Sequence, residues 1–452
     1  MSSEKSGEKV FIKTFGCQMN VYDSERLSES LSQTGYSETK NIHNADLVIL
    51  NTCHIREKAT EKVYSDLGRI HDIKKSRKKE GKNTIVTVAG CVAQAEGTEI
   101  FKRSKVVDVV VGPQSYQSLP RILSHVKSTG QRVKEIDFLH REKFSTLPSE
   151  RKYSSPSAFL TIQEGCNKFC TFCVVPYTRG VEYSRSISEI EKEARTLTEK
   201  GVRELILLGQ NVNAYHGFSE ANVQSSLATL ISRLARIKGL ERLRYTTSHP
   251  LDMSDDLIAA HQNETKLMPY LHLPFQSGSD KILRSMNRKH TRDEYIRIIE
   301  RVRKIRPDIA LSTDIIVGFP EETEEDFEQT LDLVKTIGFA HSFSFKYSPR
   351  LGTPAAGLET QVNEEVKSDR LSRLQSLLQT QHERYNSQFI GKTLPVLFEK
   401  EGTKKGIFVG RSPYFQLVYA ESNNTSSTIV GEICSVEIVK SGPGSLAGVI
   451  RA

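Results

Sequence analysis

The chain has 452 residues, 37% of them apolar, which suffices for two or three domains with a core in each. Its polar opening lacks an apolar signal core and no stretch is long and apolar enough to span a bilayer, so a cytoplasmic location is expected rather than a secreted or membrane-spanning one. A formal charge of +8 is modest at this length and fits a nucleic-acid substrate, another anionic partner or a merely basic surface, while seven cysteines without dense spacing favour metal ligation over a disulfide framework.

The first part of the chain repeats one design three times: an apolar strand, a cysteine just past its end, then helical sequence. Val10 to Thr14 leads to Cys17, Asp46 to Leu50 leads to Cys53, and Thr84 to Ala89 leads to Cys91. Helices are expected from Tyr22 to Ser32 and from Arg56 to about Lys75. Strands alternating with helices imply a parallel sheet, whose carboxyl ends share one edge, so Cys17, Cys53 and Cys91 are expected to converge as three thiolates. The basic run Lys74-Lys75-Ser76-Arg77-Lys78-Lys79 reads as a solvated helix end or a phosphate contact.

From His125 to Ser157 the sequence turns polar and broken, as at a domain junction. The strand Ala158 to Ile162 then runs into Gly165-Cys166-Asn167-Lys168-Phe169-Cys170-Thr171-Phe172-Cys173. Cys-x3-Cys-x2-Cys supplies three thiolates where an iron-sulfur cube needs four, leaving one iron open to a small molecule. Zinc is the other reading, but the nearest histidines, His140 and His216, fall outside the usual ligand spacing. Strands are expected at 158–163, 204–208, 242–246, 270–273, 309–315 and 343–347, with helices near 187–200, 291–304 and 323–337. Six strands with intervening helices suggest an incomplete β/α barrel. Gly209, Gln210, Asn211, Gln276, Ser277 and Asp314 follow or end those strands and are candidate cofactor contacts, a turn-forming or core role being the alternative for each.

An amphipathic helix carrying Leu371, Leu374, Leu377 and Leu378 follows. After Gln388 the periodicity becomes two, with strands at 393–398, 406–410, 415–419 and 433–438, which reads as a small all-β barrel. It carries seven Lys/Arg against five Glu, and Tyr414, Phe415 and Tyr419 are either core or stacking residues for RNA. Cys434 reads as a buried free thiol. The fold class is thus α/β in three parts: a parallel-sheet domain over 8–125, a partial β/α barrel over 152–385 and a barrel over 388–451.

Cys166, Cys170 and Cys173 match the cluster motif of radical S-adenosylmethionine enzymes, and the three amino-terminal cysteines plus the carboxyl-terminal barrel resemble their methylthiotransferase family over nearly the whole chain. Within it, Asn51-Thr52-Cys53-His54-Ile55-Arg56-Glu57-Lys58-Ala59 and Gly165 to Gly180 resemble the branch acting on dimethylallyladenosine in tRNA. Leu208 to Asn213, Leu271 to Ser279, Asp314 to Pro320 and Gly352 to Ala356 match as well. Two positions depart from the family pattern: Ser186 replaces a usual proline and Glu321 a frequent glycine.

The resemblance implies a radical S-adenosylmethionine core and a carboxyl-terminal domain of TRAM type that binds tRNA. It implies a 4Fe-4S cluster on Cys166, Cys170 and Cys173 that chelates S-adenosylmethionine and generates a 5′-deoxyadenosyl radical. That radical would take hydrogen from carbon-2 of the adenosine just 3′ of the anticodon. A second 4Fe-4S cluster on Cys17, Cys53 and Cys91 would carry the sulfur, with both open irons facing one cavity. A low-potential electron donor, a sulfur source and a monomeric chain complete the expectation. Methylthiolation of threonylcarbamoyl adenosine, and a non-catalytic iron-sulfur RNA sensor, stand as alternatives.

Overall fold

In the computed structural model, residues 7–54, 57–138, 143–144, 155–422 and 428–451 are described, with the backbone alone for 57–60. They fall into two units. One gathers Met1–Lys152 with Glu164–Asn167 and Val174–Tyr183, and the other gathers Tyr153–Gln163, Lys168–Cys173 and Ser184–Ala452.

The first unit is built on six parallel strands in the order Ser37–Glu38, Lys9–Thr14, Leu47–Thr52, Ile85–Gly90, Val109–Val111, Val133–Glu135. Every residue of the two central strands is buried, as expected of a sheet covered on both faces. Alternation divides them: Leu47 and Ile49 pack against Leu27, Leu31, Leu119 and Leu123, while Val48 and Leu50 pack against Val63, Leu67 and Ile70. The helix expected from Tyr22 begins earlier and runs Gln18–Gln33, because the extended backbone of Cys17 sits directly before its first turn. The next runs Glu57–Lys79, and the expected start at Arg56 lies outside the described residues. In the basic run, Lys74 pairs with Asp108, and buried Arg77 spends its guanidinium on Asp46, Thr84 and the carbonyl of His43. Those two cations hold the helix to the sheet rather than facing a phosphate.

In the second unit, parallel strands Ser157–Thr161, Glu204–Leu208 and Arg242–Tyr245 form one sheet and Tyr270–His272, Ala310–Val317 and His341–Lys346 another. Leu243 joins them through backbone bonds with Lys266 and Met268, giving the expected six-stranded partial barrel. Helices including Ile187–Glu199, Leu227–Ala235, Arg292–Ile305 and Glu324–Ile337 bury its outer face in one large core. Ser186 compensates for the missing proline: its hydroxyl accepts from Glu189 N, and the Glu189 carboxylate accepts from Ser186 N, a capping box. Glu321 is forced to φ +65°, a conformation that suits the glycine it replaces.

Helix Glu364–Ser387 leads into a closed five-stranded barrel of Thr393–Glu401, Ile407–Arg411, Leu417–Glu421, Ile433–Ser441 and Ser445–Ile450. The last strand goes beyond the four read from the sequence. Phe415 leaves its expected strand, adopts φ +67° and packs on Tyr270 and on the guanidiniums of Arg244 and Arg411. Tyr414 packs on Phe389, so Tyr414 and Phe415 are half-buried while Tyr419 is exposed, and Cys434 is half-buried rather than buried. Two buried arginines of the partial barrel hold this domain. Arg242 donates to the carbonyls of Arg411 and Pro395, and Arg244 to those of Ser412 and Pro413, while Glu204 neutralises Arg244.

Arg244→Ala should cost about 3–5 kcal/mol, because it strands the fully buried carboxylate of Glu204, and a lowered urea midpoint for the second unit checks this. Glu321→Gly should raise stability by about 1 kcal/mol by relieving the left-handed backbone, read in the same experiment.

Candidate active site

Cys17 caps helix Gln18–Gln33 after the first long strand, Cys53 follows Leu47–Thr52, and Cys91 opens helix Cys91–Glu96 after Ile85–Gly90. These strands are neighbours, and the register Thr14↔Asn51↔Ala89 brings their carboxyl ends level. Two glycines permit the approach. At Gly16, with φ +99°, a Cβ would stand 2.1 Å from Cys53 Cβ, and at Gly90, with φ +91°, it would stand 2.4 Å from the carbonyl oxygen of Thr52. Thr52 Oγ1 donates to the carbonyl of Ala89 and accepts from Val92 N, fixing the turn that presents Cys91. Cys17 and Cys53 share a side-chain hydrogen bond, which lowers the Cys17 thiol to about 6 against its burial, with the positive charge of Arg179 adding to the effect. Burial raises the Cys91 thiol, and Arg179 opposes it.

Arg179 is 2% exposed and lies at the centre of a closed charge network within the first unit. Its guanidinium donates to Asp23 Oδ2 at 2.7 Å, Asn20 Oδ1 at 3.1 Å and Glu164 Oε1 at 2.9 Å. Lys143 bridges the same two carboxylates, at 3.0 Å from Asp23 and 2.6 Å from Glu164. Burial works to raise the Glu164 carboxyl, and Lys143 and Arg179 overcome it and hold the group below its usual range. Gln114 Nε2 donates to Glu164 Oε2 at 2.7 Å. Asn20 and Asp23 lie in the helix that follows Cys17, and Glu164 lies two residues before Cys166. None of these side chains was singled out from the sequence.

Of the second cysteine set, Cys166 belongs to the first unit, where its N–H donates to the carbonyl of Gly180 at 3.2 Å. Cys170 and Cys173 belong to the second unit. There Thr171 N donates to Met286 O and Cys173 N to Cys170 O, and Asn287 Nδ2 donates to Phe169 O at 2.9 Å. Arg288, 5% exposed, donates through Nη2 to Pro274 O at 2.6 Å and directs Nη1 to Cys170 Sγ at 3.6 Å.

Among the described residues no three His, Cys, Asp or Glu side chains close on the space of a single ion. The ligands of a cube bind separate irons and stand further apart, and soft thiolates with N–H donors beside them suit iron-sulfur chemistry. Both cysteine sets fit that donor chemistry.

The candidate cofactor contacts separate into three kinds. Asn211 donates through Nδ2 to Asp252 Oδ2, which in turn pairs with Lys168, while Asn211 Oδ1 is buried without a partner. Gln276, at φ +73°, likewise keeps a buried, unpartnered Oε1, and Ser248 Oγ, His249 Nε2, Arg288 Nε and His290 Nε2 share that state. Buried polar atoms without partners fit a polar ligand, and those of Asn211, Ser248, His249 and Gln276 follow barrel strands. Asp314 stands 3.6 Å from His272 Nε2, in reach of a ligand by its partial exposure. Gly209 and Gln210 shape the turn: a Cβ at Gly209 would lie 2.4 Å from Gln163 Oε1, which accepts from the N–H groups of Gln210 and Asn211. Ser277 is buried, with its hydroxyl near Thr330 Oγ1 and accepting from Ser279 N, so it braces a helix.

The chain is 54% identical over 444 residues to the tRNA-2-methylthio-N(6)-dimethylallyladenosine synthase of Rickettsia canadensis (strain McKiel), covering 98% of this chain and 99% of that one. The chain belongs to this synthase family. Residues 9–112 match the uncharacterized protein family UPF0004, and residues 160–334 match the radical SAM superfamily. Among solved structures, the radical S-adenosylmethionine methyltransferase TsrM from Kitasatospora setae, with cobalamin and a [4Fe-4S] cluster bound, superposes with a TM-score of 0.57. At 12% identity, with 77% of this chain and 74% of that one covered, the likeness concerns the fold. The cobalamin-dependent S-adenosylmethionine radical enzyme OxsB, with aqua-cobalamin and S-adenosylmethionine bound, gives 0.52 at 12% identity, over 83% of this chain and 56% of that one. Both agree with a synthase-family chain whose centre is a partial barrel.

In cluster-free protein the Cys17 thiolate should alkylate with a half-maximal rate near pH 6, since a lowered thiol pKa keeps the reactive anion present down to that pH. Cys53→Ala removes the first cause of the shift and should move the midpoint upward, which a pH series with iodoacetamide and peptide mapping reads directly.

Proposed function

We propose that the protein converts N(6)-dimethylallyladenosine in tRNA, at the base just 3′ of the anticodon, to its 2-methylthio derivative. The observation that carries the reading is the placement of Cys17, Cys53 and Cys91 at the level ends of three neighbouring parallel strands, in a chain aligned end to end with a synthase of that name. In this reading Cys166, Cys170 and Cys173 hold a 4Fe-4S cluster that binds S-adenosylmethionine, and the amino-terminal three hold a second one. When bound, these groups supply a carbon radical strong enough for an aromatic C–H bond and the sulfur that replaces the hydrogen.

The chain's own residues position and shield. Arg288 directs an N–H at the sulfur of Cys170, and hydrogen bonds to cluster sulfurs are one of the protein's levers on reduction potential. Arg179 ties the segment before Cys166 to the helix after Cys17, so that neither cysteine can shift without breaking ion pairs that water does not reach. Asn211 and Gln276 offer buried, unpartnered oxygens to the ammonium and ribose groups of S-adenosylmethionine. Carbon-2 of the base needs no general acid or base, in keeping with a site read from cysteines alone. A low-potential electron donor, a sulfur source and a single chain acting alone belong to the same proposal.

With reconstituted protein and dimethylallyl-modified tRNA, Cys170→Ala should abolish formation of 5′-deoxyadenosine. Cys53→Ala should retain it and yield no methylthio product by nucleoside mass spectrometry. Wild-type protein that forms no 5′-deoxyadenosine would support the sensor instead, and activity on threonylcarbamoyl tRNA in place of the dimethylallyl form would reassign the substrate.

A further inference from the structure

The last strand of the partial barrel, His341–Lys346, is amphipathic in the wrong direction for a core. Its even positions meet helix Glu364–Ser387: Ser342 Oγ bonds His382 Nε2 at 3.0 Å, Gln375 Nε2 reaches Ser344 Oγ at 3.5 Å, and Lys346 pairs with Glu364. Hydroxyls and a cation therefore face the packed layer. Phe343 and Phe345 occupy the opposite face, away from the helix, and remain 50% and 37% exposed. The register Asp314↔Phe343 and Ile316↔Phe345 sets them beside the inward side chains of the adjacent strand. His272 completes the wall, edge-on to Phe343 with ring centroids 6.1 Å apart and 3.6 Å from Asp314. The strand pairs along one edge only among the described residues, so the wall borders the gap of an unclosed barrel.

Two large apolar rings held toward open space, on a strand whose polar positions are spent on packing, are what a fold keeps for a ligand. Their Cα atoms lie two residues apart, roughly 7 Å along the strand, comparable to an extended dimethylallyl chain. The wall is apolar at Phe343 and Phe345 and polar at Asp314 and His272. That pattern matches a base bearing a branched hydrocarbon on a nitrogen that retains one N–H. The strand also lies beyond residue 334, where the match to the radical SAM superfamily ends, as suits a part devoted to one substrate.

We propose that Phe343 and Phe345 receive the dimethylallyl substituent of the adenosine and so decide between modified and unmodified tRNA. The assignment rests on the functional reading above and adds the site of discrimination. The test is equilibrium binding of the cluster-loaded protein to an anticodon stem-loop carrying dimethylallyladenosine and to the same loop carrying adenosine. Wild-type protein should prefer the modified loop. Phe343→Ala, Phe345→Ala and the double variant should weaken its binding about tenfold or more and erase the preference, while Phe343→Leu and Phe345→Leu keep most of it. A preference retained by the double variant overturns the assignment. So does an equal loss for both loops, which marks a general RNA contact, or a loss of S-adenosylmethionine affinity, which gives the wall to the cofactor. Wild-type protein that neither prefers the modified loop nor forms the methylthio product would overturn the functional reading itself, and is seen before any variant is compared.

Discussion

Arg179 is enclosed with two carboxylates and a lysine, and the order of the first unit's functional edge depends on that enclosure. Four charges removed from water are tolerable only when every one is matched, and here each cation touches both anions. The matching is geometric as well as electrostatic. Asp23 fixes the helix that begins at Cys17, Glu164 fixes the approach to Cys166, and the carbonyl of Gly180, next to Arg179, holds Cys166 by its N–H. One side chain thus sets the backbone on either side of two cysteines far apart in sequence. Its charge also favours thiolate over thiol at Cys17 and Cys91, the form in which a cysteine can bind a metal.

The cysteine positions were legible because ligand residue types stood at the ends of apolar runs, and a parallel sheet turns that into spatial convergence. Strand order decided the matter, since three consecutive neighbours in the sheet carry the three thiols. The six strands of the partial barrel were legible for the same reason. Arg179 was not, although it sits in a run that resembles the family, because its partner Asp23 lies 156 residues earlier and no local pattern announces the pairing. Phe343 and Phe345 escaped differently: in sequence, alternating serine and phenylalanine reads as an ordinary half-buried strand, and only the helix on the serine side reveals the inversion.

The carboxyl-terminal barrel shows where periodicity falls short. Ser445–Ile450 carries two small residues, Ala447 and Gly448, in a run of six and pairs in parallel with Leu417–Glu421, a partner that hairpin logic does not suggest. Gly448 is required there, since a Cβ would stand 2.4 Å from the carbonyl oxygen of Glu437. For Tyr414 and Phe415 the sequence leaves core and stacking roles open, and the structure gives them the first: they pack the domain on the partial barrel.

That packing bears on how the chain can be divided. Arg242 and Arg244 project from the central part and together donate to four backbone carbonyls within residues 395–413. A chimera joined at the linker near residue 388 would ask a foreign barrel to present four carbonyls in the same places. The last domain is therefore less an interchangeable cassette than a fitted stopper, matched to the two arginines beneath it.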